Sequence, residues 1–476
     1  AIFIVSSSIE SIKSSLMIQP GKEKKIFYLL CLYHLIIWTA VPYFSNKNLP
    51  LDVIEALAWG QEFNLGYNKH PPLSAWIPGF FFKIFGNKDW IYYLLSQVFI
   101  VISFIFLWKL SSFFFKKKYQ ILLSILLIEG IAFYTFETPQ FNVNICQIPL
   151  WIGTVYFFLK SIKKNKISDW IFLGTFSALG FLTKYIFAYL LISLFFYLII
   201  ILIKDKKIKL NFLYALLTFF LIISPHFIWL TQNDFTTIYY ALKRGGLNEV
   251  NIYNHLLNPL KFLINQIIIL LPFILLIYLL VKKIKIKLTL NNEKFIFLLF
   301  SFLLPFILIL ITSIITGSRI RTMWLIPFYS LIGIFFIFLY QNQINVKKLK
   351  NFIFLLIIFL VLSPILYSLK SIYSDSRTGY EGKKIAIEIE KEWKNFSKEK
   401  IYHVGFSEWY AGNLSYHLNN RPKVFLEENN DFFKKPAVII AKDVGVSLCN
   451  LKNVNIKNII VERLHIFDHI RIFKII

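Results

Sequence analysis

Cysteine, methionine and acidic side chains are all scarce in this chain, and each scarcity narrows what it can be. The three cysteines among 476 residues, Cys31, Cys146 and Cys449, show no metal-ligand spacing, and two of them lie in apolar runs. Neither a disulfide framework nor a cysteine-ligated metal centre fits that distribution. Methionine occurs only at Met17 and Met323, and the polar stretch ahead of Met17 reads as an upstream extension, set apart from the fold. Acidic residues number 26 against 52 lysines and arginines, a formal net charge of +26. Such an excess raises nucleic acid as a partner. The lysines, however, fall in short clusters between apolar runs, at Lys116–Lys118, Lys160–Lys166, Lys204–Lys209, Lys282–Lys287 and Lys347–Lys350. Clusters so placed are topology signals, not a phosphate-binding stripe, and no nucleic acid is expected. Internal repeats are missing too, and nothing beyond those connectors is of low complexity.

What the chain has in abundance is apolar: 57% of its residues are hydrophobic and 18% aromatic. A soluble domain with that content would leave a large apolar surface in water. The apolar residues also run long enough to cross about 30 Å of hydrocarbon at roughly 1.5 Å per residue. Run length predicts about eleven spans, near 26–44, 91–110, 120–136, 143–160, 168–183, 186–203, 211–230, 262–281, 295–316, 322–340 and 351–369. The stretch from Trp170 to Ile203 is too long for one helix. Dividing it at Thr183-Lys184-Tyr185 makes a tight hairpin and keeps the lysine off the lipid.

With Lys22–Lys25 in the cytoplasm, eleven spans put every lysine cluster on the cytoplasmic side. The opposite connectors, 45–90, 137–142, the Lys184 hairpin, 231–261 and 317–321, carry few lysines and most of the motif-like residues. The expectation is a multi-pass protein of the inner (cytoplasmic) membrane. Residues 1–25 form a cytoplasmic segment, 26–369 an all-α polytopic bundle with an exported first loop at 45–90, and 370–476 an exported domain, periplasmic or extracellular. In that tail Glu381–Phe396 reads as an amphipathic helix with Ile385, Ile389 and Trp393 on one stripe. Strand-like runs at Ile401–Val404, Ala437–Ala441, Ile456–Val461 and Ile470–Ile475 complete a small α/β domain.

The first exported loop carries the most chemistry. Asp52 and Glu55 are three residues apart, so on a helix their carboxylates share a face. Tyr67, Lys69 and His70 precede the stiff pair Pro71-Pro72. A general base and a phosphate-binding cation beside a membrane suit transfer from a lipid-phosphate donor. The plainer alternative is a helix start with carboxylates near its dipole, followed by a surface turn. Lys184 in an apolar hairpin needs a partner or water, or else snorkels to the interface. His226 at Ser224-Pro225-His226 is either a capping and packing histidine or a donor and metal ligand. Lys243-Arg244 and Arg319/Arg321 lie in loops that otherwise avoid positive charge, where a phosphate leaving group or anionic lipid headgroups would use them. Glu408, Trp409, Tyr410 and Arg421 either shape an acceptor or lid surface or, the better reading, form the tail's own core and surface.

The loop resembles the first exported loop of family 39 glycosyltransferases, which include protein O-mannosyltransferases and lipid A aminoarabinose transferases. Those proteins carry an acidic motif soon after the first span, then a Lys-Pro-Pro-Leu-like segment and a tryptophan. Here the matching residues are Asp52, Lys69-His70-Pro71-Pro72-Leu73 and Trp76. Two departures stand out: the family often has adjacent Asp-Glu where this chain has Asp52-Val-Ile-Glu55, and His70 separates Lys69 from Pro71. Further blocks resemble the family in order: Gly180-Phe-Leu-Thr183-Lys184-Tyr185, Pro225-His226-Phe-Ile-Trp229 with Asn233-Asp234-Phe235, Arg321-Thr-Met323-Trp324 with Pro327, and Gly405 to Tyr416 with Arg421-Pro422. The resemblance implies a C-type glycosyltransferase fold and inverting transfer from a polyprenyl-phosphate-linked sugar. The acceptor would be an envelope glycolipid such as lipid A, a polysaccharide or a protein. It assigns Asp52 as base with Glu55 beside it, and Lys69, Lys184, Arg244, Arg319 and Arg321 to the donor phosphate. Tyr67, His70 and His226 are further candidates. A divalent metal is suspected in the wider family, while this chain shows no compact ligand cluster, and the requirement is left open. The rival class is a polytopic transporter or lipid flippase, which would place ionisable residues at mid-membrane depth and break helices in two related halves. Glu129, mid-segment in the third expected span, is the main residue on that side. A third class is an envelope scaffold whose tail binds partners.

Overall fold

The computed structural model describes residues 21–204, 210–247, 251–282, 291–345, 348–374, 376–405, 407–425, 437–441, 461–467 and 470–475. The stretch ahead of Met17, most of the lysine clusters at 204–209 and 282–287, Cys449 and the run 456–460 lie outside the described residues. The helices, in chain order, are α1 Glu23–Ser45, α2 Leu51–Trp59, α3 Leu73–Phe85, α4 Asp89–Ser111, α5 Lys118–Leu126, α6 Val143–Lys164, α7 Ile167–Phe181 and α8 Ala188–Lys204. They continue as α9 Phe212–Gln232, α10 Thr236–Arg244, α11 Asn254–Leu280, α12 Glu293–Leu298, α13 Leu304–Thr316, α14 Ile332–Tyr340, α15 Leu349–Tyr373, α16 Gly382–Phe396 and α17 Tyr410–His417. A π-helical turn, Leu299–Leu303, joins α12 to α13.

Among the described residues, nine helical segments are long and apolar enough to cross a membrane. Their outward faces are apolar as well. On α11, Ile264, Ile267, Ile268, Leu271, Leu275 and Tyr278 are all exposed at helical spacing, as a lipid-facing stripe requires.

Two of the eleven expected spans differ. The segment expected at 168–183 is α7, whose 15 residues reach only roughly 22 Å at 1.5 Å per residue. The segment expected at 120–136 is helical only as far as Leu126, then breaks into 3-10 turns at Leu127–Gly130 and Ala132–Tyr134. Glu129 sits in that break. Its Oε1 lies 3.1 Å from His34 Nε2, and His34 Nδ1 faces Gln97 Oε1 at 3.3 Å. Both side chains of the His34–Glu129 pair are fully enclosed. The enclosed carboxylate thus has a partner on α1, as a buried charge requires.

The connectors separate into two ends. At one end Lys294 Nζ donates to Phe114 O at 3.2 Å, Gln120 to Gln341 O at 3.3 Å, and Asn211 to Asn165 O at 3.2 Å. These are the lysine-rich connectors. At the other end Leu73 N–H donates to Leu182 O at 3.0 Å, Thr237 Oγ1 to Tyr67 O at 2.5 Å, and Arg319 N–H to Gly245 O at 2.8 Å. The expected exported connectors therefore meet one another.

The amphipathic helix expected in the tail is α16, with Ile385, Ile389 and Trp393 buried. Five strands pair in the order β2-β1-β3-β5-β4, where β1 is His403–Gly405, β2 Lys423–Phe425, β3 Ala437–Ala441, β4 Val461–Phe467 and β5 Ile470–Ile475. β1 runs parallel to β2 and β3, whereas β5 is antiparallel to β3 and β4. β2 was not foreseen: three residues are too few to show an alternation. α16 and α17 pack their apolar faces together with Ile401, Val404 and Val438 into a small separate core.

Candidate functional site

The first loop is built from two short crossing helices. α2 starts after Pro50, and α3 after Pro71-Pro72, whose fixed φ suits a helix start. They cross where Gly60 and Gly79 face each other so closely that a Cβ on either would overlap the backbone of the facing segment. Tyr67 N–H donates to His70 O at 3.1 Å, and the Tyr67 hydroxyl donates to Glu62 O at 2.6 Å, which turns the chain between the helices. The Tyr67 ring stacks on Trp59.

Asp52 lies in the first turn of α2, where unpaired backbone N–H groups favour an anion. Burial pushes its carboxyl above the ordinary range, while the Asn142 and Gln140 side chains and the charges of Lys184 and Lys69 oppose the shift. Glu55, one turn on, has a different neighbourhood. Its Oε1 accepts from Lys69 Nζ at 3.2 Å, and Lys69 also pairs with Glu408 of the tail. Burial and the repulsion of Glu408 push Glu55 up to about 7 against the pull of Lys69. Burial alone would lower Lys69, but Glu408 and Glu55 outweigh it and hold the ammonium above its usual range.

Lys184 follows the end of α7 in extended backbone. Its Nζ donates to Asn144 Oδ1 at 3.0 Å and stands 4.9 Å from the centre of the Trp324 ring. Burial brings it down to about 7, with Asp52 opposing and Arg321 adding to the fall. Arg321, near Arg244 and Tyr240, is also lowered, chiefly by burial. His70 sits edge-on to Trp59 and Tyr240; burial and the cations Lys184, Lys69 and Arg244 bring it to about 3, so it is neutral.

The structure thus brings Asp52, Glu55, Lys69, His70, Lys184, Arg244 and Arg321 into one electrostatic group. Lys69 pairs directly with Glu55, and Asp52 lies within the field of both Lys184 and Lys69. Arg319 packs against Gly245 and Gly246 at the end of α10. His226 serves the loop: Nδ1 donates to Leu65 O at 2.6 Å, and Nε2 accepts from the Tyr185 hydroxyl at 2.7 Å. A carbonyl can only accept, so the tautomer is set and both ring nitrogens are used. Among the described residues, no three His, Cys, Asp or Glu side chains gather as metal ligands would.

Sequence reasoning missed the tail's part and the polar rim of α6. Glu408 and Arg421, read as the tail's own, reach across to Lys69 and to Leu57 O, the latter at 3.1 Å. Trp409 meets Tyr380 and Arg377 of the tail and also packs against the core of the bundle. Gln140, Asn142 and Asn144, an alternating polar run just ahead of an apolar one, were a usable signal. Asn142 caps α6 by accepting from Asn144 N–H at 2.9 Å and Ile145 N–H at 3.0 Å, and the cap turns the run toward Asp52 and Lys184.

Residues 69–229 match the family described as dolichyl-phosphate-mannose-protein mannosyltransferase. No curated protein matches the chain in sequence. Among solved structures, the crystal structure of ArnT from Cupriavidus metallidurans bound to undecaprenyl phosphate is similar at 10% identity. The likeness covers 96% of this chain and 98% of that one, with a TM-score of 0.60. The same protein in its apo state aligns at 9% identity over 94% and 97%, with a TM-score of 0.58. The polytopic all-α bundle with a small sheet domain, expected from the resemblance to C-type glycosyltransferases, is therefore the fold found.

Proposed function

We propose that this chain is a membrane glycosyltransferase of the family 39 type, moving a sugar from a polyprenyl-phosphate donor to an envelope acceptor. The observation that carries this reading is that two half-buried carboxylates on α2 share one electrostatic neighbourhood with four cations from separate connectors: Lys69, which pairs with Glu55, and Lys184, Arg244 and Arg321. The match to a mannosyltransferase family and the undecaprenyl phosphate bound in the Cupriavidus protein support the donor class.

In the proposed reaction Asp52 accepts the proton of an acceptor hydroxyl. The hydroxyl oxygen attacks the anomeric carbon from the face opposite the phosphate, forming the new glycosidic bond with inversion. The anomeric carbon–oxygen bond to phosphate breaks, and its electron pair stays on the departing polyprenyl phosphate. Lys184, Lys69, Arg244 and Arg321 stabilise that charge as it develops, the stage at which electrostatic help lowers a barrier. A desolvated, raised carboxyl at Asp52 suits a base, since its basicity is brought nearer to working pH. Glu55 holds Lys69. Arg319 adds positive charge at the rim, Tyr67 and His226 keep the loop in shape, and neutral His70 lines it. The site end of the bundle faces outward, with the lysine-rich end in the cytoplasm.

The test compares envelope glycolipids and glycoproteins by mass spectrometry from cells lacking the protein, complemented with wild type or Asp52→Asn. Wild type should restore one sugar-bearing species that Asp52→Asn restores about 10²–10⁴-fold more slowly, the usual contribution of a general base. Full restoration by Asp52→Asn would refute the assignment of the base.

A further inference from the structure

The helix bearing both site carboxylates, α2, has only nine residues, too few to hold its shape in water alone. What surrounds it must fix it. α3 crosses it on one side, and the tail lies along the other. Just ahead of α2, Asn48 Nδ2 donates to Asn413 Oδ1 at 2.6 Å. Midway, Ile54 packs against Gly412. Just beyond, Gln61 Nε2 donates to Ser415 Oγ at 2.6 Å and Pro422 O at 3.0 Å, and Gln61 Oε1 accepts from Val424 N–H at 2.9 Å.

Arg421 completes this contact. The last carbonyls of a helix have no partner within it, and Arg421 Nη2 donates to one of them, Leu57 O, at 3.1 Å. The same guanidinium stands 3.4 Å from the centre of the Phe82 ring on α3. One side chain of the tail therefore touches both helices of the loop, and its positive charge lies at the negative end of α2. The backbone at Arg421 has φ +45°, the left-handed region that favours glycine and disfavours a residue with a Cβ. A strained arginine at a turn where glycine would be at ease points to a side chain with work to do.

We infer that Arg421 is a positioning residue, which holds α2 against α3 and so keeps Asp52 and Glu55 aligned with Lys184 and Lys69. Its catalytic consequence rests on the function proposed above, whereas the clamp itself is measurable without any substrate.

The full chain in nanodiscs, as wild type, R421G and R421K, is followed by hydrogen exchange and by sugar transfer. Glycine relieves the turn while removing the guanidinium, so R421G spares the tail's fold. Lysine keeps the charge without the planar fork that caps and stacks at once. In R421G the amides of residues 51–59 should exchange about tenfold faster, with those of residues 382–417 at the wild-type rate. Transfer should show kcat lowered about tenfold with donor KM unchanged, and R421K should fall between. Wild-type protection of residues 51–59 in R421G overturns the inference. Equal loss of protection in α2 and the tail also overturns it, since Arg421 would then serve only the tail. A wild-type chain that transfers no sugar defeats the proposed function and leaves the exchange result standing.

Discussion

Lys184 and Lys69 are shifted in opposite directions from an ordinary lysine. Lys69 is held up by two carboxylates, whereas burial between Asn144 and Trp324 leaves Lys184 near 7. A group with pKa about 7 is charged below that pH and neutral above it. If Lys184 binds the lipid phosphate, affinity for undecaprenyl phosphate should fall as pH rises past about 7, approaching tenfold per unit. Lys184→Arg keeps its charge and should flatten that limb. The phosphate's own titration is common to both proteins, so the difference between their curves isolates the lysine. Identical curves in nanodisc binding would remove Lys184 from the phosphate site. Legibility also differs between these residues. Asp52, Lys69 and Lys184 were readable because each breaks a local rule: an acid at a helix start, a lysine before a proline pair, a cation in an apolar hairpin. Glu408 broke none, and its partner stands 339 positions away in the chain.

At the level of elements, run length marked most of the spans well, because crossing hydrocarbon imposes a minimum on apolar length that nothing else in the chain needs. It failed where one helix stops early. At the break after Leu126, Glu129 meets His34, a contact between segments that a window along the sequence does not contain. The crossing of α2 and α3 is of the same kind, since the match between Gly60 and Gly79 exists only in space. Gly79→Ala puts two effects in competition. Alanine favours the helix by about 1 kcal/mol, but its Cβ overlaps the Gly60 carbonyl, and overpacking costs about 1–3 kcal/mol. The overlap should win, because both opposing atoms are backbone and have little room to yield. A lower thermal midpoint together with slower transfer is expected. A higher midpoint with unchanged transfer would mean that the two helices separate freely.

Taken whole, the molecule has a lysine-rich end and a carboxylate end, and the first was expected to face the cytoplasm. The native cysteines at 31 and 146 are buried, so with Cys449→Ser as the background single exposed cysteines can report sides. Lys88→Cys should react with a membrane-impermeant maleimide in intact cells, and Lys117→Cys only after permeabilisation. The reverse pattern would invert the threading. The way the loop is held also bears on how such a chain can change over time. His226 holds the carbonyl of Leu65, Arg421 that of Leu57, Gln61 that of Pro422, and Thr237 that of Tyr67. In each pair one partner is main chain, which every residue type supplies. Positions 57 and 65 are thus released by these contacts to drift, while positions 226 and 421 are not. Chains bound by half of each pair can differ in most of their letters and keep the same architecture.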